Sequence, residues 1–521
     1  MDKYYKYAYY AFLIIAFATA LYYSPACSDG TSYVEDRYAQ FDERLAMLEV
    51  NSILHPGDAK HFVFYTISGS ALFYGRLMMW VDAAVSYIPD KIWGVQGQVI
   101  ATRLTHFLVL LISIYLLIQL FIKDELLRAT VLLFTLLSPY FFYFSLIPKP
   151  EPFVLLFLAL FLRGYIKASW SFGKHYVWLG FALGCKISVL PLAPLFLLLP
   201  IIYKSDRFKF DFALLPLIKS GLWTVLGFLL CIPCLILAPF KPVFLETYIH
   251  QALVGAKKDY DDATVNFFSW IHQLVYEHFS VLPFMVVLLL CFVLAFSIYS
   301  LLQTKKISKG NLLFGIGLVQ LLLIFILTKR IWPHYLFVGI VFTVIASAAL
   351  FEESFKKYIK WFCVFLALFI GPQFFAFKTE VTYFVNRENQ AHYQEVKSSG
   401  ISAFEYLDSK KVKFIGCDLT AYVPNKLLVE TQFYEPFPEQ KRAIKLRMES
   451  VIDYSELLYT SGYDALVFEK NCPEDSLNKL SKAYFMKNAF TAFSKYVPSK
   501  YHFDTAFAST SIYLRNDFST K

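Results

Sequence analysis

Seven carboxylates crowd the segment from Asp29 to His61 (Asp29, Glu35, Asp36, Asp42, Glu43, Glu49 and Asp58), against three cations, Arg37, Arg44 and Lys60. The segment lies between a first hydrophobic run and a long series of others, so it reads as an acidic, histidine-containing loop beside a membrane. Further on come Lys149, two residues before Glu151; Lys186, inside an apolar run; and Arg330, His334 and Tyr335, which open a later one. Carboxylates and cations converging on one membrane face suit a reaction on a lipid-linked phosphate. The cations would hold the phosphate oxygens. A carboxylate would take the proton of an incoming hydroxyl. Asp42, Glu43 and Glu151 are the candidate catalytic carboxylates; His55, Lys149, Lys186, Arg330, His334 and Tyr335 are candidates for binding substrate.

Each of these has a plainer reading. Acidic residues favour first helical turns in any protein, which covers Asp42, its neighbour Glu43, and Glu151 behind Pro150. Lysines near span ends snorkel, and arginines anchor span boundaries. His55 and His61 are six apart, do not share a helical face, and make a poor metal site with Asp58. No metal-ligand cluster stands out, and a divalent metal stays open.

The elements that must position these residues are membrane helices. Of the 521 residues, 57% are hydrophobic and 17% charged, with mean hydropathy +0.49. That composition describes a polytopic membrane protein rather than a water-soluble core. The net charge of +9 is spread through short loops; it reports orientation rather than a nucleic-acid partner. Eight cysteines show no repeated spacing, so neither a disulfide framework nor a zinc site follows. Cys231 and Cys234 form a C-x-x-C inside an apolar run and read as core residues.

Residues 7–26 make the first span. Residues 61–89 are apolar but interrupted by Gly69, Gly75, Arg76 and Asp82; charge in mid-span is expensive, so amphipathic interfacial helices are expected. Spans follow near 99–122, 127–147 and 151–168. Residues 175–203 have basic flanks on both sides, Arg163, Lys167 and Lys174 before and Lys204, Arg207 and Lys209 after. This run must go in and come back, yet two full spans need about 40 residues. A pair of short helices is expected, with its tip near Pro191 and Pro194 and Lys186 directed to a cavity. Further spans fall near 213–239, 281–303, 311–328, 332–350 and 358–377. The total is about eleven transmembrane helices, with a cytoplasmic N-terminus.

Residues 1–377 then form the membrane domain, with an outside loop over 27–98, and 378–521 a small soluble α/β domain on the same non-cytoplasmic side. Short β-like runs (VKFIGCD, KLLVETQF, YDALVFEK, TSIYLRN) alternate there with helical patterns around 397–408 and 440–460.

The order of these motifs resembles the GT-C superfamily of polyprenyl-phosphate-sugar-dependent membrane glycosyltransferases, related to protein O-mannosyltransferases and lipid A aminoarabinose transferases. The matching residues are Asp42-Glu43, His55-Pro56, YTISGSALFYG, Arg103-Leu104, SPYFFYFSLIPKPEP with Lys149 and Glu151, GFALGCKISVLPLAPL with Lys186, and KRIWPHYLFVGIVFTVIAS. The likeness covers roughly residues 7–377. Gly57 stands where the commoner pattern has a second Pro, and two acidic pairs, Glu35-Asp36 and Asp42-Glu43, compete for the place of the family's first-loop aspartate; spacing to Pro56 favours Asp42.

The resemblance implies an inverting transfer of a sugar from a polyprenyl-phosphate-linked donor to an acceptor hydroxyl of a glycan, lipid or protein, outside the cytoplasm and in a bacterial inner membrane. A secondary transporter or lipid flippase is the competing class; such proteins usually show repeated halves and midplane charges, whereas here the halves differ.

Overall fold

The computed structural model describes residues 2–249 apart from 27, 29–40 and shorter gaps, scattered positions between 294 and 302, and 307–412 apart from 328–332 and single positions. It then describes 414–416, 464–469 and 501–517 apart from 509. The expected span at 281–303, most of the loop at 240–280, the pair Glu35-Asp36 and the segments 426–433 and 440–460 lie wholly or mainly outside the described residues.

Helices α1 (Asp2–Tyr23), α5 (Val95–Phe121), α6 (Glu125–Leu136) and α7 (Glu151–Lys167) form the first part of the bundle. The loop between α1 and α5 is itself helical, as α2 (Phe41–Leu54), α3 (Ala59–Ile67) and α4 (Arg76–Trp93). Helices α8 (Tyr176–Cys185) and α9 (Leu192–Ile202) are the expected short pair, with a break from Lys186 onward. After α10 (Leu214–Cys231) come α11 (Lys309–Leu327), α12 (Pro333–Phe355) and α13 (Ile359–Asn386), the last running on past residue 377. Among the described residues, Val95–Phe121, Leu214–Cys231 and the stretch Tyr335–Asn386 are long and apolar enough to cross a membrane.

Helix α10 shows the logic of a protein dissolved in lipid. Its buried side is Ser220, Thr224, Gly227 and Cys231, while Leu215, Leu222, Val225 and Leu230 are exposed. The stripe is the reverse of a soluble helix, because lipid solvates leucine as well as the protein does and small residues let helices approach. The partner is α8, whose Gly180 and Gly184 sit four apart. A Cβ on Gly180 would lie 2.0 Å from the Thr224 carbonyl, and one on Gly227 2.1 Å from that of Val177. Gly184 faces Cys231. The two helices therefore run parallel, so their N-terminal ends, α8 next to Lys174 and α10 after the strands Tyr203–Lys204 and Arg207–Phe208, share one side.

Helices α4 and α5 form an antiparallel pair about Gly94 (φ +61°), a conformation suited to glycine. Three polar rungs join them, each one helical turn from the next. Asp82 meets His106 at 3.0 Å, Ser86 meets Thr102 at 3.1 Å, and Asp90 accepts from Gln98 at 2.7 Å. Residues 61–89 are thus amphipathic as expected, but Arg76 and Asp82 face inward. Tyr87, Ile88 and Ile92 are the exposed side. Charge can turn inward here because each buried ion has a partner.

The C-terminal part holds a four-stranded sheet, β3 (Phe414–Gly416), β4 (Ala465–Glu469), β5 (Tyr501–Ala506) and β6 (Thr510–Arg515), in the order β3-β4-β6-β5; β1 (Tyr203–Lys204) and β2 (Arg207–Phe208) form a separate hairpin. β3 and β4 are parallel and the other pairs antiparallel. Helix α14 (Ala391–Ser409) covers the sheet through Ala403 and Leu407, against Ala465, Ile512 and Leu514.

Candidate active site

Glu151 opens α7, where a carboxylate is favoured by the helix N-terminus. Lys186 follows the last residue of α8 in extended backbone, φ −154° and ψ 122°. The two residues, 1% and 5% exposed, form a buried ion pair through their side chains. The Lys186 ammonium also lies 5.1 Å from the centre of the Tyr335 ring, at the start of α12. Three candidates from three separate segments thus meet. Glu151 Oε2 is buried with no hydrogen-bond partner among the described residues, so the carboxylate keeps one oxygen for another donor. Lys149, 3% exposed, precedes it by two residues. Lys186 is therefore held by Glu151, a pairing the sequence does not indicate; the neutralising partner makes its burial tolerable.

A second buried ion pair adjoins the first. Arg76 donates from Nη1 to Glu49 at 2.8 Å and from Nη2 to the Tyr65 carbonyl, and its Nε is buried with no partner among the described residues. Gly75 N–H, one residue earlier, donates to the Cys185 carbonyl at 3.3 Å, next to Lys186. Gly69, with φ +63°, presses its backbone on the pair; a Cβ there would lie 2.2 Å from both Arg76 Nη1 and Glu49 Oε2. Neither Arg76 nor Glu49 is among the candidates that the sequence suggests. The available signal is the Arg in the apolar run 61–89, which by itself reads as an interfacial charge.

Asp42 and Glu43 fall in the first turn of α2, and only their backbone is described. Glu49, Asn51 and His55 fix the other end of that helix. Gln98 donates to Asn51 at 2.9 Å, and His55 Nε2 lies 2.9 Å from Asp90. A helix rises about 1.5 Å per residue, so His55 sits roughly 20 Å from Asp42 and the two cannot share one small site. His334 is in α12 with only its backbone described, and Arg330 is outside the described residues. Arg103, in the Arg-Leu motif, donates from Nη1 to the Ser24 and Ala26 carbonyls at 2.9 and 2.5 Å, satisfying groups that α1 leaves open at its end. No group of three or more metal-ligating side chains gathers among the described residues.

No protein-family model matches this sequence, and no curated protein matches it significantly. Solved structures do. The crystal structure of ArnT from Cupriavidus metallidurans in the apo state superposes with a TM-score of 0.57 at 13% identity, over 96% of this chain and 97% of that one. The same protein bound to undecaprenyl phosphate gives 0.57 at 12% over the same shares. The apo oligosaccharyltransferase of Archaeoglobus fulgidus gives 0.47 at 13%, over 98% of this chain and 75% of its own. The chain has the fold of the ArnT structures and is a multi-pass membrane protein. Its likeness to ArnT runs from end to end.

Proposed function

We propose that the chain is an integral membrane glycosyltransferase, moving a sugar from a polyprenyl-phosphate-linked donor to an acceptor hydroxyl with inversion. The observation that carries this reading is the Lys186–Glu151 pair under Tyr335, assembled within a GT-C fold. An ArnT structure holding undecaprenyl phosphate supports the donor class. The acceptor is a glycan, lipid or protein. The reaction lies on the non-cytoplasmic face of a bacterial inner membrane, with the first loop and the C-terminal domain on that side.

The bond from the sugar to the phosphate oxygen breaks as the acceptor oxygen attacks the opposite face. The proton of the acceptor moves to Asp42, with Glu43 beside it. A phosphate leaves as a weakly basic anion and needs charge stabilisation, not a proton. Lys186, paired with Glu151, and Lys149, two residues before Glu151, are the cations this reading assigns to the phosphate, and Arg330 would add another with His334 and Tyr335. Glu151 holds the Lys186 ammonium in place, and its open oxygen can accept a sugar or acceptor hydroxyl. His55 would act on the longer part of a substrate.

A buried ion pair among membrane helices also suits a transporter or flippase, so the test must separate the two. Transfer of labelled sugar from polyprenyl-phosphate donors is measured in membranes containing wild type, Asp42→Asn, Asp36→Asn or Glu151→Gln at equal protein level. Loss of transfer in Asp42→Asn but not Asp36→Asn is expected. Absence of transfer by wild type from every such donor, with lipid movement in sealed vesicles, would replace the enzyme by a transporter.

A further inference from the structure

Two cysteines from different helices meet beside Lys186. Cys185 is the last residue of α8 and Cys231 the last of α10, and their sulfur atoms are 3.6 Å apart. Both are fully buried, and they are 46 residues apart in the chain. Their meeting follows from the glycine seam: Gly180, Gly184 and Gly227 bring the helix backbones together, and a Cβ on Gly184 would already lie 2.5 Å from that of Cys231. Cys234, three residues on, belongs to the short 3-10 turn Pro233–Leu237.

We propose that Cys185 and Cys231 are a disulfide site that staples the Lys186-bearing hairpin to α10. Closing the bond brings the sulfurs from 3.6 Å to about 2.05 Å. The chemistry is thiol–disulfide exchange with a small disulfide: one thiolate attacks it, one of its thiols leaves, and the second cysteine displaces the other from the mixed disulfide. Two protein thiols become one disulfide, and the reagent takes up the two hydrogens as two thiols. Burial slows exchange in the finished fold, so the bond forms most readily before α8 and α10 close on each other. The parallel course of the two helices puts both cysteines on the side opposite the basic flanks, which is the oxidising side if those flanks are cytoplasmic. This inference rests on the helix packing and not on the glycosyltransferase reading.

The test uses the full chain in detergent. Protein as isolated and protein treated with oxidised glutathione are each denatured in N-ethylmaleimide, digested and weighed. The expected result is a cross-linked Cys185–Cys231 peptide two hydrogens lighter than the sum of its parts, absent from Cys185→Ser and Cys231→Ser. Dithiothreitol should lower the unfolding midpoint of the wild type by several degrees and leave that of Cys231→Ser unmoved. Maleimide on both cysteines under every condition would reduce the contact to a thiol pair and overturn the proposal. A Cys231–Cys234 cross-link in place of Cys185–Cys231 would overturn it equally.

Discussion

Lys186 and Glu151 are 5% and 1% exposed, so removing either one leaves the other's charge in a protein interior without the counterion of this pair. Removing one partner of such a pair costs about 3–5 kcal/mol, whereas replacing both with apolar residues is often close to neutral. Lys186→Met and Glu151→Leu should each destabilise strongly, and the double variant should recover most of the loss. Denaturant unfolding in detergent measures this; a double variant no more stable than the singles would mean the pair is not coupled. All three should lose sugar transfer, so stability and activity part company in the double variant.

Helices are the scale at which this sequence is most readable, for a reason of solvent. In lipid every backbone group must be satisfied within its own segment, so apolar runs bounded by charge announce helices, and α5, α7, α11 and α12 begin within a few residues of where hydropathy places them. The short hairpin of α8 and α9 follows from counting residues against membrane thickness. Pairings between helices are illegible. Glu49 to Arg76 spans 27 residues and Glu151 to Lys186 spans 35, and nothing local in the chain records which helix faces which. The polar rungs of α4 and α5 are partly visible, since Asp82, Ser86 and Asp90 recur every four residues, but their partners Gln98, Thr102 and His106 read as interruptions of a span. The glycines carry a sharper prediction. Gly180→Leu drives a side chain into the Thr224 carbonyl, while a Cβ added at Gly221, on α10, would meet nothing within 4 Å among the described residues. Gly180→Leu should separate α8 from α10, displace Lys186 and abolish both a sharp unfolding transition and transfer; Gly221→Leu should leave both close to wild type. Equal behaviour of the two variants would remove the seam as the feature that sets Lys186.

At the scale of the whole molecule the question is sidedness. The parallel course of α8 and α10 puts Lys174 and the hairpin of Tyr203–Lys204 and Arg207–Phe208 on one side, and clusters of Lys and Arg in short loops mark the cytoplasmic side. Each helical hairpin returns the chain to the side it left, so the basic flanks before α8 and before α10 must be reached from one side however deep α8 and α9 penetrate. On the proposed topology, with about eleven crossings from a cytoplasmic N-terminus, the C-terminal sheet would lie on the opposite side, with the acidic first loop. Single cysteines at Ser171, Asp206 and Asn516, in a chain whose native cysteines are replaced, test this directly with a membrane-impermeant maleimide on sealed vesicles of known orientation. Ser171→Cys and Asp206→Cys should react only from the cytoplasmic side and Asn516→Cys only from the other. If Ser171→Cys and Asp206→Cys label from opposite sides, α8 and α9 do not return the chain, and the parallel packing with α10 would have no consistent place in a bilayer. If all three label from one side, the number of crossings from α10 onward, α10 included, is even rather than odd, and the C-terminal domain is removed from the face on which the proposed transfer takes place.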